Sequence, residues 1–424
     1  MNKIRLLFGH RALLAVLVGF SGVTGTAWAL PEKGTTLPTF QLETVIKLAV
    51  AGNPLIAKAE GAIDENRGRE ISAGAYPNPS FIGQTAQGAI RDPTTNFSRT
   101  EYFLSLSQPF EWFEKRKARK EAAQAAVSSA MMGRGEATLL VTIKSKVAFY
   151  DLLLAQQSAD IALQNVETVK ALAKAVKVRV ESGEGAQFEA VKADVEVLKA
   201  EQAATKAKSL IQVDRAQLNA LTNGALSPVF RIEGEFRPPI RGLTMQELTS
   251  SVLASHPTIL RLRKKVEQAN SSISRERASR IPDVTVFGGY AREVGREALV
   301  GGVTVPTPIW YQRQGEIAEA MGTQRYQEAE LLRAQNELTR AVEQHLQEAE
   351  TSAEQIEVFE KGLLNQAEEA LRIARLSFRA GAASLLELLD AQRVELEIRL
   401  AYAQARHDLS IALSKLEGAV GGDL

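Results

Sequence analysis

Two carboxylates near the end of the chain have the spacing most suggestive of chemistry. Glu387 and Asp390 are three residues apart, so on a helix they share one face. In an assembly of several copies they would form two stacked rings of carboxylates, which attract cations and repel each other. The same spacing is typical of a solvated pair on an exposed helix face, and both interpretations stay open.

The chain offers little other chemistry. It contains no cysteine, which excludes disulfides, thiolate metal sites and thiol nucleophiles. His256, His345 and His407 are never spaced i, i+4, and we expect none of them to hold a metal ion. The phosphate-binding loop, the G-x-S-x-G elbow and the H-E-x-x-H motif are missing from the sequence. We therefore predict that the protein is not an enzyme and uses no cofactor.

The N-terminus has the pattern of a secretory signal. Three basic side chains lie within the first eleven residues, an apolar stretch follows at 12–20, and Ala27-Trp28-Ala29 fits a cleavage site. The apolar stretch is shorter than the ~20 residues of a spanning helix. We predict a signal peptide at 1–29 and export from the cytoplasm. The 51 basic and 50 acidic side chains nearly cancel, so bulk charge indicates no nucleic-acid partner.

The chain repeats itself. Residues from 42 onward align with residues from 245 onward, which places Asn53-Pro54 on His256-Pro257, and further along Gly183 pairs with Gly381. Two copies of one unit are the simplest explanation. We predict a first repeat at 30–223, a linker at 224–242 that contains three prolines, a second repeat at 243–418 and a tail at 419–424.

Each repeat changes its hydrophobic period in the same order. Short helices lead to a proline, and alternating apolar residues then predict β-hairpins at about 80–109 and about 283–307, the second turning at 292–297. Long stretches without proline follow at 113–181 and 314–380. Apolar residues in the first of them keep heptad spacing, which predicts a helix on the order of 100 Å long.

Glycines interrupt both helical stretches only briefly. The breaks at Gly183 and Gly381 are too short for linkers, so we expect the chain to turn there and return as a second long helix. Four strands per chain are too few for a closed membrane barrel, whose smallest versions use about eight, and an open edge in lipid would leave backbone groups unpaired. If the strands enter a membrane, several copies must share one barrel above a tube of helices.

These features resemble the TolC-like outer-membrane factor family over essentially the whole mature chain. The resemblance rests on the repeat, on Pro109-Phe110 and Pro308-Ile309 at the strand ends, and on the segment from Gly381 to Asp390. The stretch 308–315 is most similar to outer-membrane components of cobalt-zinc-cadmium type resistance-nodulation-division exporters. The resemblance implies a mainly α fold with a small β part, in which three chains build a 12-stranded outer-membrane barrel and a 12-helix periplasmic tunnel. It also implies two partners, a periplasmic adaptor and an inner-membrane pump.

The resemblance assigns roles to particular residues. It implies a periplasmic gate formed by Glu387, Asp390, Glu189 and Arg406, although the family's usual aspartate is a glutamate at Glu189 and a latching basic residue aligns with Ala383. The hairpin tips expected to meet the adaptor are Gly183, Glu184, Gly185, Gly381, Ala382 and Ala383.

Aromatic residues follow the strand-ending prolines in both repeats. Trp112, Phe113, Trp310 and Tyr311 fit a belt where a barrel meets the periplasm, and ordinary core aromatics are the alternative.

The function predicted from the sequence is a passive outer-membrane exit duct that carries heavy-metal cations. Drug efflux or type I protein secretion is the first alternative. A soluble periplasmic coiled-coil adaptor or scaffold is the more distant one, because long helical hairpins alone would suit it too.

Overall fold

A computed structural model describes residues 37–91 and 96–424. The predicted signal peptide lies outside the described residues. The first half contains β1 (Thr39–Phe40), α1 (Leu42–Gly52), α2 (Pro54–Gly74), β2 (Ser80–Arg91), β3 (Asn96–Phe110), α3 (Phe113–Glu181), α4 (Gln187–Leu221) and β4 (Arg231–Ile232). The second half contains α5 (Met245–Ser255), α6 (Pro257–Ala278), β5 (Val284–Glu293), β6 (Arg296–Thr304), α7 (Gln314–Val358), α8 (Leu364–Arg379) and α9 (Leu385–Val420).

The X-Pro pairs of the two halves begin helices. Asn53 precedes α2 and its side chain accepts a hydrogen bond from the Leu55 amide at 3.0 Å. His256 precedes α6 and its Nδ1 accepts from the Thr258 amide at 3.1 Å. Proline suits the first helical position because its missing N–H has no partner there. His256 therefore acts as a helix cap.

The long helices match the prediction in the first half and depart from it in the second. α3 runs for 69 residues between the predicted limits, 113 and 181. The predicted continuous helix at 314–380 is wrong, because a π-helical turn at Phe359–Leu363 separates α7 from α8. Gly362 in this turn has non-helical dihedral angles, φ 162° and ψ −21°. Such turns locally widen a helix and often mark a functional position.

The four long strands form one antiparallel sheet in the order β2-β3-β5-β6. Leu104 pairs with Tyr290, which pairs in turn with Leu299, so the predicted second hairpin has the expected register. Its turn is tighter than predicted, since Arg292 and Glu297 are paired across the strands. Gly295, the second residue of this turn, has a positive φ of 80°, which glycine adopts without strain.

The segment predicted as a linker packs onto the helices. Phe230 and Phe236 are buried in the same cluster as Phe149 of α3. β4 also pairs in parallel with β1, a contact that the sequence did not indicate. The stretch 224–242 is thus part of the core, because its aromatic side chains fill a gap beside α3.

Helices α3 and α9 make most of the contacts between helices. α3 contacts α2, α4, α6 and α9, and α9 contacts α7 and α8. Apolar clusters along these seams consist largely of alanine, valine and leucine.

Within 37–91 and 96–424, none of the helices is both long and apolar enough to cross a membrane.

Candidate functional site

Both helical hairpins turn through glycine caps of one type. Gly183 has φ 79°, and the Glu184 amide donates to the Arg179 carbonyl at 2.9 Å. Gly381 has φ 73°, and the Ala382 amide donates to the Ser377 carbonyl at 2.8 Å. Bonds of this span close a helix end with a left-handed residue, which glycine adopts without strain. The predicted turns at 183 and 381 are confirmed.

The two tips lie against each other. Arg179 Nη1 donates to the Phe378 carbonyl at 3.4 Å, and the guanidinium lies 4.8 Å from the centre of the Phe378 ring. Val176, Leu385 and Leu388 are buried in one cluster with that ring. The fold therefore brings the tip residues of both halves together at the same end of the two helical hairpins.

Glu387 has a structural role that the sequence analysis missed. Its backbone N–H donates to Ser384 Oγ at 3.3 Å, and its Oε2 accepts from the Ser384 amide at 2.7 Å. This reciprocal arrangement is a capping box at the start of α9. The signal was present in the sequence as Ser-x-x-Glu after a glycine turn. The Glu387 carboxylate is nevertheless exposed to solvent.

Asp390 is exposed and paired along its own helix. Its Oδ1 accepts from Arg393 Nη2 at 2.8 Å, and Arg393 also reaches Glu397 at 3.0 Å. The hydrogen bond that Arg393 donates to Asp390 raises the pKa of Arg393 above its ordinary value, and the charge of Glu397 adds to this. An exposed ion pair of this kind is weak, so the Asp390 carboxylate stays accessible to a cation in solution.

Glu189 and Arg406 differ in position. Glu189 lies in the first turn of α4, at the first tip, and is half-buried. Arg406 lies more than four turns beyond Asp390 on α9, roughly 24 Å at 1.5 Å per residue. Its guanidinium lies 5.4 Å from the Phe236 ring centre and 5.6 Å from that of Tyr402. Within one chain, Arg406 is therefore too far along α9 from Glu387 and Asp390 for their side chains to pair.

The strand-end aromatics are exposed in the chain. Trp310 is 92% exposed and Trp112, Phe113 and Tyr311 are each more than half exposed, so they are not core residues here. The Tyr311 hydroxyl donates to Glu316 Oε2 at 2.6 Å, which fixes it beside the start of α7. The hydrogen bond to Glu316 raises the pKa of Tyr311.

One face of the sheet carries a group of apolar side chains that are open to solvent. Pairing and alternation place the following exposed side chains on it together: Phe81, Tyr102, Leu104, Leu106, Phe110, Val286, Leu299 and Val303. The other face mixes Phe103, Phe287 and Val300 with polar residues such as Gln84, Glu101, Ser105, Thr285 and Arg296. An apolar surface of this extent is not typical of a soluble monomer.

Helix α4 carries two apolar seams. Ala190, Ala193, Ala200 and Ala204 are buried on the side that contacts α3. A second series at heptad spacing, Phe188, Val191, Val195 and Leu198, is exposed. Ile373 and Leu376 of α8, in the other hairpin, are exposed as well. We call Phe188, Val191, Val195 and Leu198 the open seam of α4.

The histidines make unrelated contacts. His256 caps α6, and burial lowers its pKa more than its contacts with Gly418 and Glu136 raise it. His345 Nδ1 lies 2.8 Å from Glu348. His407 lies between Asp151 and Asp408. Within the part of the chain that the structure describes, no group of three or more histidine, aspartate or glutamate side chains could hold a metal ion.

Known proteins share this architecture. The fold is similar to that of the solved channel CusC, whose structures concern folding and transmembrane channel formation, with a TM-score of 0.77 at 17% identity over 92% of this chain and 94% of that one. The cobalt-zinc-cadmium resistance protein CzcC of Cupriavidus metallidurans is 27% identical, with 85% of each chain covered. The pyoverdine export outer membrane protein OpmQ of Pseudomonas aeruginosa is 22% identical over 90% of this chain and 84% of that one.

The family itself is matched in both halves of the chain. The sequence pattern of the family described as outer membrane efflux protein matches residues 45–224 and 248–422. The resemblance predicted from the strand ends and the tip segment is thereby confirmed. The chain belongs to the outer membrane efflux protein family.

Proposed function

We propose that the protein is the outer-membrane exit duct of a tripartite exporter. The apolar, exposed face of a sheet with only four strands carries this proposal. Lipid would cover that face, but the two edge strands would leave backbone N–H and C=O groups unpaired in the membrane. Further copies of the chain can supply the missing strands, and three copies give the 12-stranded barrel that the resemblance implies.

The open seam of α4 supports the same assembly. α4 and α8 are the outer helices of the two hairpins, since α3 and α9 lie between them. In a ring of copies, the open seam of one chain meets α8 of the next, where Ile373 and Leu376 are exposed. Such a head-to-tail contact closes into a ring when the rotation per copy is right. Three chains would then enclose a 12-helix tunnel in the periplasm.

In this proposal, the hairpin tips form the end of the duct that faces the adaptor and the pump. The turns at 183 and 381 lie together, and we infer that the periplasmic adaptor contacts them and that the inner-membrane pump supplies the energy. Conduction through the duct itself is passive. Glu387, Asp390 and Glu189 are the proposed gate carboxylates, with Arg406 no longer included as their partner.

Heavy-metal cations are the cargo that we favour. The relative CzcC is a cobalt-zinc-cadmium resistance protein, and exposed carboxylates at the tips suit cations. A second candidate is a larger organic cargo, since the relative OpmQ exports pyoverdine. The family match and the fold both argue against the soluble adaptor considered above.

A deletion strain distinguishes the two cargoes. Loss of the protein should lower the tolerated concentration of cobalt, zinc or cadmium about as much as loss of the partner pump does, and leave tolerance to organic drugs unchanged. Restoring the gene should restore metal tolerance. Sensitivity to drugs alone would overturn the metal assignment and favour the second candidate.

A further inference from the structure

His407 lies at the junction of α9 with α3. Its Nε2 is 2.8 Å from Asp151 Oδ1 on α3, and its Nδ1 is 3.0 Å from Asp408 Oδ1 on α9 itself. Gln404 Nε2 also lies 3.3 Å from Nδ1 and donates to Asp408 at 2.7 Å. The ring is buried, and its neutral form has a single N–H to share between two carboxylates. The geometry suits a protonated imidazolium that donates to both.

The contact with Asp151 joins the two helical hairpins. Within the described part of the chain, two side-chain ion pairs link α3 and α9, namely Lys146 with Glu417 and Asp151 with His407. Nearer the tips, the same helices are linked by hydrogen bonds to neutral groups, from Arg399 to Gln164 and from Gln392 to Asn165, both at 2.9 Å. Of the two ion pairs that link α3 and α9 in the described residues, the one formed by His407 therefore lies nearer the tips.

The π-helical turn at Phe359–Leu363 lies near His407 along the hairpin. Tyr402 is roughly 8 Å from His407 along α9. Its hydroxyl donates to Glu360 of the π-helical turn at 2.9 Å, and its ring centre lies 5.8 Å from that of Phe359. Because π-helical turns interrupt the regular ladder, the second hairpin has a point of bending close to the histidine along the hairpin.

We propose that His407 and Asp151 form a proton-dependent pin that holds α9 of the second hairpin against α3 beside this π-helical turn. With the histidine protonated, the pin restrains the hairpin from moving apart from α3. With the histidine neutral, Asp151 and Asp408 face each other at the junction without the charge of the imidazolium between them, and the hairpin is released. If the chain is a duct, as proposed above, release favours opening of the tip.

The surrounding charges support this direction. Burial opposes protonation of His407, but the hydrogen bonds and charges of Asp151 and Asp408 outweigh it and raise its pKa above 6.5. The pKa of Asp214, on α4, is raised, because burial and the charge of Asp151 outweigh the opposite effect of His407. The pin is therefore complete below pH 6.5 and is lost as the pH rises through the raised pKa of His407.

Other charged groups packed around the ring are engaged elsewhere. In the segment 233–241, the Phe236 ring packs perpendicular to the imidazole with the ring centres 6.4 Å apart, and Arg237 is paired with Glu417. Arg406, beside His407 on α9, lies over the rings of Phe236 and Tyr402. Glu360 of the turn accepts from Tyr402. Asp151 and Asp408 are thus the groups that raise the pKa of His407, and Asp214 is the further carboxyl group that senses its charge.

A single thiol measures the release. The protein has no cysteine, so Gln392→Cys places one buried thiol at the α3–α9 seam of the assembled protein in detergent. Its labelling rate by a methanethiosulfonate is compared between the native His407 background and His407→Gln at each pH. The ionisation of the thiol cancels in this ratio. We expect the His407→Gln background to react about fivefold faster at pH 6, and the two rates to converge by pH 9.

Controls separate the pin from general loosening. A thiol at the exposed tip, Glu184→Cys, should give a ratio of one at both pH values. Asp151→Asn, which keeps the histidine but removes the charge that holds it, should reproduce the effect of His407→Gln even if the latter folds poorly. A rate ratio that does not change with pH overturns the pin. This readout needs no conduction, so failure of the proposed duct would show separately as the absence of channels in planar bilayers.

Discussion

Lys146 Nζ lies 2.7 Å from Glu417 Oε2, and both side chains are almost completely buried. Glu417 also accepts from Arg237 at 2.7 Å, and Lys146 reaches Asp423 of the tail at 2.9 Å. Burial opposes the charge of Lys146, but its hydrogen bonds to Glu417 and Asp423 outweigh this and raise its pKa above 10.5. This network joins α3, α9, the segment 233–241 and the C-terminal tail at the end of the hairpins away from the tips.

Removing Lys146 should therefore be costly. Lys146→Met leaves Glu417 buried with one partner fewer, and we expect a loss of about 3 kcal/mol in the free energy of unfolding. Denaturant unfolding of the detergent-extracted protein measures it. Lys170→Met is the matched control, because Lys170 forms an exposed pair with Glu201 and its loss should not shift the unfolding midpoint. Equal midpoints for the two variants would contradict the structural role of Lys146.

The capping box permits a clean test of the gate carboxylates. Glutamine can replace Glu387 in the box, so Glu387→Gln with Asp390→Asn removes charge while preserving the helix start. We expect this variant to keep the native unfolding midpoint, to show higher single-channel conductance and to be less blocked by multivalent cations.

Glu387→Ala serves as the comparison for that test. It removes the cap as well as the charge and should lower stability by about 1 kcal/mol. If the charge-neutral variant conducts as the native protein does and only Glu387→Ala is altered, Glu387 acts as a cap and the gate assignment fails.

Adjacent residues on β6 test the lipid-facing surface. Leu299 lies on the apolar face and Ala298 on the opposite one. Leu299→Lys should reduce insertion into the outer membrane, because a lysine facing lipid costs about 2–4 kcal/mol near the bilayer midplane and less toward its surfaces. Ala298→Lys should be tolerated. The measurement is the amount of each variant in the outer-membrane fraction, and equal amounts would argue against the assigned faces.

The open seam of α4 makes a prediction about assembly. Val195→Glu places a charge in the middle of the seam and should dissociate the copies, as judged by the mass of the detergent-extracted protein. Lys208→Glu, an exposed change on α4 outside the seam, should leave the mass unchanged. A Val195→Glu variant with native mass would exclude the seam as the contact between copies.

Local signals in the sequence were sufficient for the regular elements. Heptad spacing without proline predicted α3, alternating apolar residues predicted the strands, and Gly183 and Gly381 marked the turns correctly. In each case the determinant is a property of a short stretch of chain, so it can be found without knowing what packs nearby.

Tertiary contacts decided the rest. The prolines at 224–242 suggested a linker, but Phe230 and Phe236 are buried beside α3. No local pattern predicted the π-helical turn at 359–363, which lies inside a heptad-like stretch. Arg406 was assigned to the tip by resemblance, although the helical rise alone puts it several turns away. The contact between Asp151 and His407 joins residues far apart in sequence, so spacing could not predict it.

The central claim is that several copies of this chain complete one membrane channel. The most direct test extracts the mature protein from the outer-membrane fraction with detergent, determines the mass of the protein assembly, and adds the same sample to a planar bilayer. We expect three chains per particle and stepwise conductance. A monomer that stays in the periplasmic fraction and leaves the bilayer silent would contradict it.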